Sequence, residues 1–380
     1  MPDFEQDLLL RLRRDEEENL TRTLQVLPAG VTAFSSNDYL GLAGHPRILQ
    51  AARTTLEKSG AVLGATAARL INGQHPGHSA LENTLARFKN TQASLSFPSG
   101  YAAATGTIPA LLDKSGYAVF DKLSHACLID GARLSGAALR VFPHNDLDHL
   151  RSILQEIRRK DAEGRILILV ESLYSMDGDL APLAELCRLK SEFGAWLMVD
   201  EAHATGVCGP GGAGLCREAG IDSQVEVQMG TLGKALGVSG GYIAGSNALI
   251  QILLQHARAF IFTTGTPPCL AEALVAALEI VQSPEGENLR VKLRENLRHF
   301  HAATGHRWTS PGPIIPIPAG SEARALLWSE TLRQNNLHVP AVRYPTVAHG
   351  AARLRVTLNS LHTTSQIDAL ARTLLSISPP

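Results

Sequence analysis

The sequence predicts an α/β protein: a mainly parallel sheet covered by helices, followed by a smaller C-terminal α/β domain. Between about residues 45 and 265, helical stretches alternate with short apolar runs such as Ile166-Leu167-Ile168-Leu169-Val170 and Trp196-Leu197-Met198-Val199. Those runs lack the polar–apolar alternation of a half-exposed strand, so they suit strands buried on both faces. Polar residues follow at once, Glu171 and Ser172 after the first run and Asp200 and His203 after the second. Open α/β sheets place their ligands at such strand ends. With 380 residues the chain also exceeds the usual single-domain size, which favours one large and one smaller domain.

Taken in order, residues 1 to about 28 read as a charged amphipathic helix broken at Pro28-Ala29-Gly30. An extended segment follows, Phe34-Ser35-Ser36-Asn37-Asp38-Tyr39-Leu40-Gly41-Leu42. The helix and extended segment make up residues 1–44, the large domain 45–265 and the small C-terminal domain 266–380. Pro267-Pro268 marks the last boundary, and Leu354-Arg355-Val356-Thr357-Leu358 reads as a strand of the small domain.

A formal net charge of -1 and few aromatics exclude a concentrated basic surface for nucleic acid and point to small-molecule partners. The five cysteines, Cys127, Cys187, Cys208, Cys216 and Cys269, are odd in number and form no C-x-x-C pair. That suits free thiols in a reducing compartment and predicts no metal site. The N-terminal apolar run is too short for a signal peptide and no run reaches membrane-spanning length, so the chain reads as cytoplasmic.

Two glycine-rich stretches lead away from nucleotides. Gly209-Pro210-Gly211-Gly212-Ala213-Gly214 matches G-x-G-x-x-G, but it does not directly follow the strand ending at Asp200, and Pro210 lies inside its turn. Gly230-Thr231-Leu232-Gly233-Lys234-Ala235 lacks P-loop glycine spacing and the hydroxyl residue after the lysine. What Lys234 and Asp200 do suit is pyridoxal 5'-phosphate (PLP). The lysine can form a Schiff base, and an aspartate can keep a pyridine nitrogen protonated so that the ring withdraws electrons.

The ordered set Ser35-Ser36-Asn37-Asp38-Tyr39-Leu40-Gly41, Ser99-Gly100-Tyr101-Ala102, Asp121-Lys122-Leu123-Ser124-His125-Ala126, Ser175-Met176-Asp177-Gly178-Asp179, Val199-Asp200-Glu201-Ala202-His203, Thr231-Leu232-Gly233-Lys234 and Arg353-Leu354-Arg355 resembles the α-oxoamine synthases among fold-type I PLP-dependent transferases. The resemblance spans nearly the whole chain. It implies a homodimer in which an amino acid condenses with an acyl thioester and loses its carboxylate as carbon dioxide. Lys234 would be the Schiff-base lysine and the base, Asp200 the partner of the ring nitrogen, His203 a hydrogen-bond partner of the phenolic oxygen, and His125 a stacking group and proton donor. Gly100, Tyr101 and Thr231 would hold the phosphate, joined by Thr263 or Thr264 of a second copy. Ser175 and Glu171 would border cofactor or substrate.

Arg355 would grip the amino acid's carboxylate, with Asn37 helping to orient it. Arg353 should face the other side of the strand. Arg343 matches an arginine suited to the far carboxylate of a pimeloyl chain, although Tyr344 stands where a proline is common. The resemblance therefore implies L-alanine and a pimeloyl thioester, on acyl carrier protein or coenzyme A. Glycine with succinyl-CoA is the leading alternative within the family, and a cofactor-binding module without turnover the alternative outside it.

Overall fold

The computed structural model describes residues 3–58 and 60–378. Its described strands are, in chain order, β1 (Thr32–Ala33), β2 (Ala93–Phe97), β3 (Tyr117–Asp121), β4 (Ala138–Phe142), β5 (Ile166–Glu171), β6 (Trp196–Asp200), β7 (Val227–Thr231), β8 (Gly241–Gly245), β9 (Ile314–Gly320), β10 (Leu337–His338), β11 (Ala341–Val342) and β12 (Ala352–Thr357). The chain divides into two compact units, one of residues 37–175 and 179–293, the other of 1–36, 176–178 and 294–380.

In the larger unit seven strands lie in the order β2-β8-β7-β6-β5-β3-β4. They are parallel from β7 to β4, and β8 runs antiparallel to both of its neighbours. The non-alternating runs have the expected cause. Ile166, Ile168, Val170, Leu197 and Val199 face one core, completed by Leu150 and Leu154 of the helix Leu147–Lys160 and Leu186 of the helix Leu183–Glu192. Leu167, Leu169 and Met198 face the other, against Ala104 and Ile108 of the helix Gly100–Leu111 and Leu128 of the helix Ala126–Ser135. Each strand is therefore apolar on both sides, as a helix-covered parallel sheet requires. The register pairs Glu171 with Asp200 and Asp200 with Met229, so the carboxyl ends of β5, β6 and β7 lie side by side.

In the smaller unit β12 pairs antiparallel with β9 and β11, while β1 pairs in parallel with β10. Phe34 stacks on His362 with ring centroids 4.2 Å apart, and the His362 ring also hydrogen-bonds the Ala33 carbonyl. These contacts place residues up to Ser36 with the C-terminal unit.

The partition differs from the 1–44, 45–265 and 266–380 division expected. The helix Pro268–Gln282 packs on the helices Pro46–Glu57 and Pro76–Lys89 and buries Ala271, Leu274 and Leu278, so the Pro267-Pro268 break is internal to the large unit. The chain leaves that unit within the helix Pro284–Ala303. The N-terminal helix is also shorter than expected, Phe4–Glu17, because Asn19 turns left-handed at φ 58°. No described helix is long and apolar enough to cross a membrane.

Candidate active site

A cleft of about 470 Å³ opens at the carboxyl ends of β5, β6 and β7, and its walls include Asn37, Gly100, Tyr101, His125, Glu171, Asp200, His203, Thr231 and Lys234. A cavity of about 590 Å³ beside Asn90, Trp196, Val227 and Leu249 contains none of these groups and borders the amino ends of β6 and β7.

Lys234 sits in the turn between β7 and β8. Buried Leu232, Ala235 and Leu236 anchor that turn, and Leu232 N–H donates to the Gly240 carbonyl. Gly237, at φ +69°, closes it: a Cβ there would lie 2.4 Å from the Ala43 nitrogen. Lys234 Nζ lies 2.7 Å from His203 Nε2. On the far side of the imidazole, His203 Nδ1 is 2.6 Å from Tyr39 Oη, and Tyr39 Oη–H donates to Asn37 Oδ1 at 3.0 Å. Because the tyrosine proton goes to Asn37, Nδ1–H must donate to Tyr39 Oη, which leaves Nε2 to accept from Lys234. Tyr39 thus sets the tautomer of His203. The sequence placed Tyr39 in a motif without giving it this role, and no local spacing reveals it, since the partners are 164 residues apart.

Asp200, 4% exposed, accepts from Ala202 N–H at 2.8 Å. Burial raises its pKa, opposed by the positive Lys234 and by His125. Glu171 is fully buried; burial and the neighbouring Asp200 push its pKa up to about 8. Its Oε2 accepts from Ser175 N–H at 3.0 Å, while Oε1 has no hydrogen-bond partner. A buried polar atom without a partner calls for one, and this one belongs to a residue that lines the cleft.

His125 caps the helix Ala126–Ser135: Nδ1 accepts from Cys127 N–H at 3.2 Å and lies 3.0 Å from the Cys127 thiol. Burial lowers its pKa, and because Nδ1 accepts the Cys127 N–H, the ring proton belongs on Nε2. Asp121 fixes the turn before it, accepting from Leu123 N–H at 2.8 Å. His144 bridges Asp121 at 3.0 Å and Asp179 at 2.7 Å. Burial works against a charge on His144, but the two carboxylates outweigh it and hold its pKa up at about 10. One imidazolium therefore ties the turn carrying His125 to the loop that follows Ser175.

The cleft fits PLP. Beside buried Asp200 and the open Glu171 oxygen, the helix Gly100–Leu111 presents its amino end, capped by Ser99. A Cβ at Gly100 would lie 2.9 Å from Thr231 Cγ2, and one at Gly241 2.6 Å from the Gly100 nitrogen. Those close approaches require glycine at both positions, and the first-turn amides of a helix opening on the cleft suit a phosphate. Tyr101 turns outward and its Oη–H donates to Asp130 at 2.7 Å. Thr263 and Thr264 line a separate small cavity with Arg69, Ser96 and Phe260.

In the smaller unit Arg355 of β12 is 6% exposed, whereas Arg353 pairs with Asp177 at 2.6 Å. Arg343 donates to the backbone carbonyls of Asn19 and of Thr21, the latter at 3.1 Å, and Arg22 donates in return to the Tyr344 carbonyl at 3.2 Å. No local pattern announces this reciprocal tie, whose partners are 322 to 324 residues apart.

The aminotransferase class I and II family matches residues 29–374. The chain belongs to that family. Within the aminotransferase class I and II family it is 44% identical over 371 residues to the 8-amino-7-oxononanoate synthase of Thioalkalivibrio sulfidiphilus, covering 96% of this chain and 93% of the relative. A serine palmitoyltransferase from S. paucimobilis with a bound PLP–myriocin aldimine superposes with a TM-score of 0.90 at 25% identity, covering 99% of this chain and 98% of that one. The 8-amino-7-oxononanoate synthase of Francisella tularensis gives a TM-score of 0.77 at 28% identity, covering 91% and 98%.

Proposed function

We propose that this chain catalyses the PLP-dependent decarboxylative condensation of L-alanine with a pimeloyl thioester to 8-amino-7-oxononanoate, a reaction of biotin biosynthesis. The observation that carries the reading is the constellation of buried Glu171, Asp200 and His203 with half-buried Lys234 around one cleft, in a chain 44% identical to a synthase of that name.

Lys234 would hold the cofactor's aldehyde carbon, Asp200 its ring nitrogen and His203 its phenolic oxygen. The amino end of the helix beginning at Gly100, with Thr231, would hold the phosphate, joined by Thr263 or Thr264 of a second copy. When bound, PLP withdraws electrons from the amino acid's α-carbon. Lys234 Nζ, freed when the amino acid's amino group takes its place at the aldehyde carbon, takes the α-proton. Arg355 pairs with the amino acid's carboxylate, for which a planar guanidinium offers two parallel donors. His125, neutral with its proton on Nε2, donates to the acyl carbonyl oxygen as the new carbon–carbon bond forms and the thiol leaves. The carboxylate then departs as carbon dioxide.

The test is carbon dioxide release with alanine and with glycine, each against pimeloyl and succinyl thioesters on carrier protein and on coenzyme A. Preference for alanine with the pimeloyl donor is expected. Preference for glycine with the succinyl donor would overturn the substrate assignment, and no release from any pair would leave only a cofactor-binding module. Lys234→Ala should abolish release while leaving the fold intact.

A further inference from the structure

Behind the cleft lies a second pair of charges that the reaction described above does not use. Lys89, at the end of the helix Pro76–Lys89, and Glu201, next in sequence to Asp200, form an ion pair in which both side chains are 0% exposed. Lys89 also donates to the Ala213 carbonyl, and the other Glu201 oxygen accepts from Cys216 N–H at 2.9 Å. The glycine-rich loop of residues 209–214 finds its purpose here: a Cβ on Gly214 would lie 2.5 Å from the Glu201 carboxylate, so the loop folds tightly over the pair rather than around a nucleotide.

We infer that Lys89 is a positioning residue for the reaction: by neutralising Glu201 it removes a negative charge from beside Asp200 and so sets the electrostatic field in which Asp200 meets the cofactor ring. The inference rests on the PLP reading above. Three observations support it. A buried carboxylate requires a partner, and Lys89 is the cation paired with Glu201. Burial alone would depress Lys89, but Glu201 beside it outweighs burial and keeps the ammonium charged. Glu201 in turn acts on Asp200 as a like charge that favours its protonation. The groups facing Glu201 are Lys89, Tyr242, Cys216 and Asp200. Those facing Asp200 are Lys234, His125, Glu171, Glu201, Cys127 and Tyr242.

The experiment is a pH titration of the holoenzyme's visible absorbance, with the PLP dissociation constant and the unfolding temperature measured alongside. Lys89→Met leaves an uncompensated negative charge next to Asp200, and the absorbance midpoint should rise by about one pH unit, on the order of a tenfold change in the protonation equilibrium. Glu201→Gln leaves an uncompensated positive charge, and the midpoint should fall. The double variant Lys89→Met/Glu201→Gln should return to the wild-type midpoint, because a buried pair exchanged for neutral groups of similar size is tolerated. If Lys89→Met does not fold, the downward shift in Glu201→Gln and its reversal in the double variant carry the test. Unchanged midpoints with lowered unfolding temperatures would overturn the inference and reduce the pair to scaffolding. Failure of the wild-type protein to take up PLP would overturn the proposed function and this inference together.

Discussion

Replacing Tyr39 with phenylalanine tests the hydrogen-bond chain that ends on Lys234. Tyr39 is 0% exposed and its hydroxyl lies between His203 Nδ1 at 2.6 Å and Asn37 Oδ1 at 3.0 Å. Phenylalanine fills the same ring volume, so the change isolates one oxygen. Without it, the His203 Nδ1–H has lost its acceptor in a place where water is excluded. An abandoned buried donor costs about 1–3 kcal/mol. The imidazole can escape that cost by moving its proton to Nε2, but it then no longer accepts from Lys234. Tyr39→Phe should therefore lose about 1–3 kcal/mol of stability in urea unfolding of the cofactor-free protein. If the tautomer matters to turnover, kcat should fall roughly 5- to 150-fold, at about 1.4 kcal/mol per factor of ten. Nitrogen-15 spectra of the histidines should show the His203 proton relocated. Wild-type stability together with kcat within twofold of wild type would refute the reasoning, because it would mean that the hydroxyl neither satisfies nor orients His203.

Three further predictions concern charge. Glu171 has its pKa raised from 4.5 to about 8, so the folded protein binds more protons than the unfolded one between those values and its stability falls as pH rises through them; Glu171→Gln should flatten that slope in unfolding of the cofactor-free protein. His144 has its pKa raised from 6.5 to about 10, so the stability it contributes is fully present below pH 6.5 and lost as pH rises through 10; the gap in unfolding free energy between wild type and His144→Gln should close over that range. Arg343→Leu should weaken use of a pimeloyl thioester while sparing an uncharged acyl chain of similar length, as a charge-assisted contact of about 2–3 kcal/mol would require. Because Arg343 also holds the Asn19 and Thr21 carbonyls, the same variant should expose residues 19–30 to limited proteolysis. An equal loss on both acyl donors with faster cleavage would assign Arg343 to the N-terminal segment alone.

The sheet was legible because burial on both faces writes itself into consecutive residues. Ile166, Ile168 and Val170 serve one core and Leu167 and Leu169 the other, so no polar residue is admitted until Glu171. The cleft was legible for a related reason. Strand register brings Glu171 beside Asp200, and the sequence already marked both as the first polar residues after apolar runs. The domain boundary was not legible. A proline pair marks the start of a helix, but which unit that helix joins depends on the apolar stripe of Ala271, Leu274 and Leu278 finding a partner far away in sequence. Lys89 was equally hidden: a lysine in the last turn of a helix reads as a solvated end favoured by the helix dipole, and only tertiary structure places Glu201 against it.

The arginines show where such reading reaches its limit. Arg353 and Arg355 lie two apart on β12, yet they have different surroundings: Arg353 pairs with Asp177 while Arg355 is 6% exposed. Strict two-residue alternation would put both on the same face of the strand, so the expectation that they face opposite sides does not follow from strand period. Their difference has another source. The β12–β9 register shift lies before Arg353 and the pairing is regular from Arg353 to Arg355, so the difference comes from what each side chain meets: Arg353 reaches the Asp177 carboxylate and the Met176 carbonyl. The two arginines of Arg-Leu-Arg therefore differ through the segments they meet, Asp177 being 176 residues from Arg353 in sequence, a property that β12 does not carry alone.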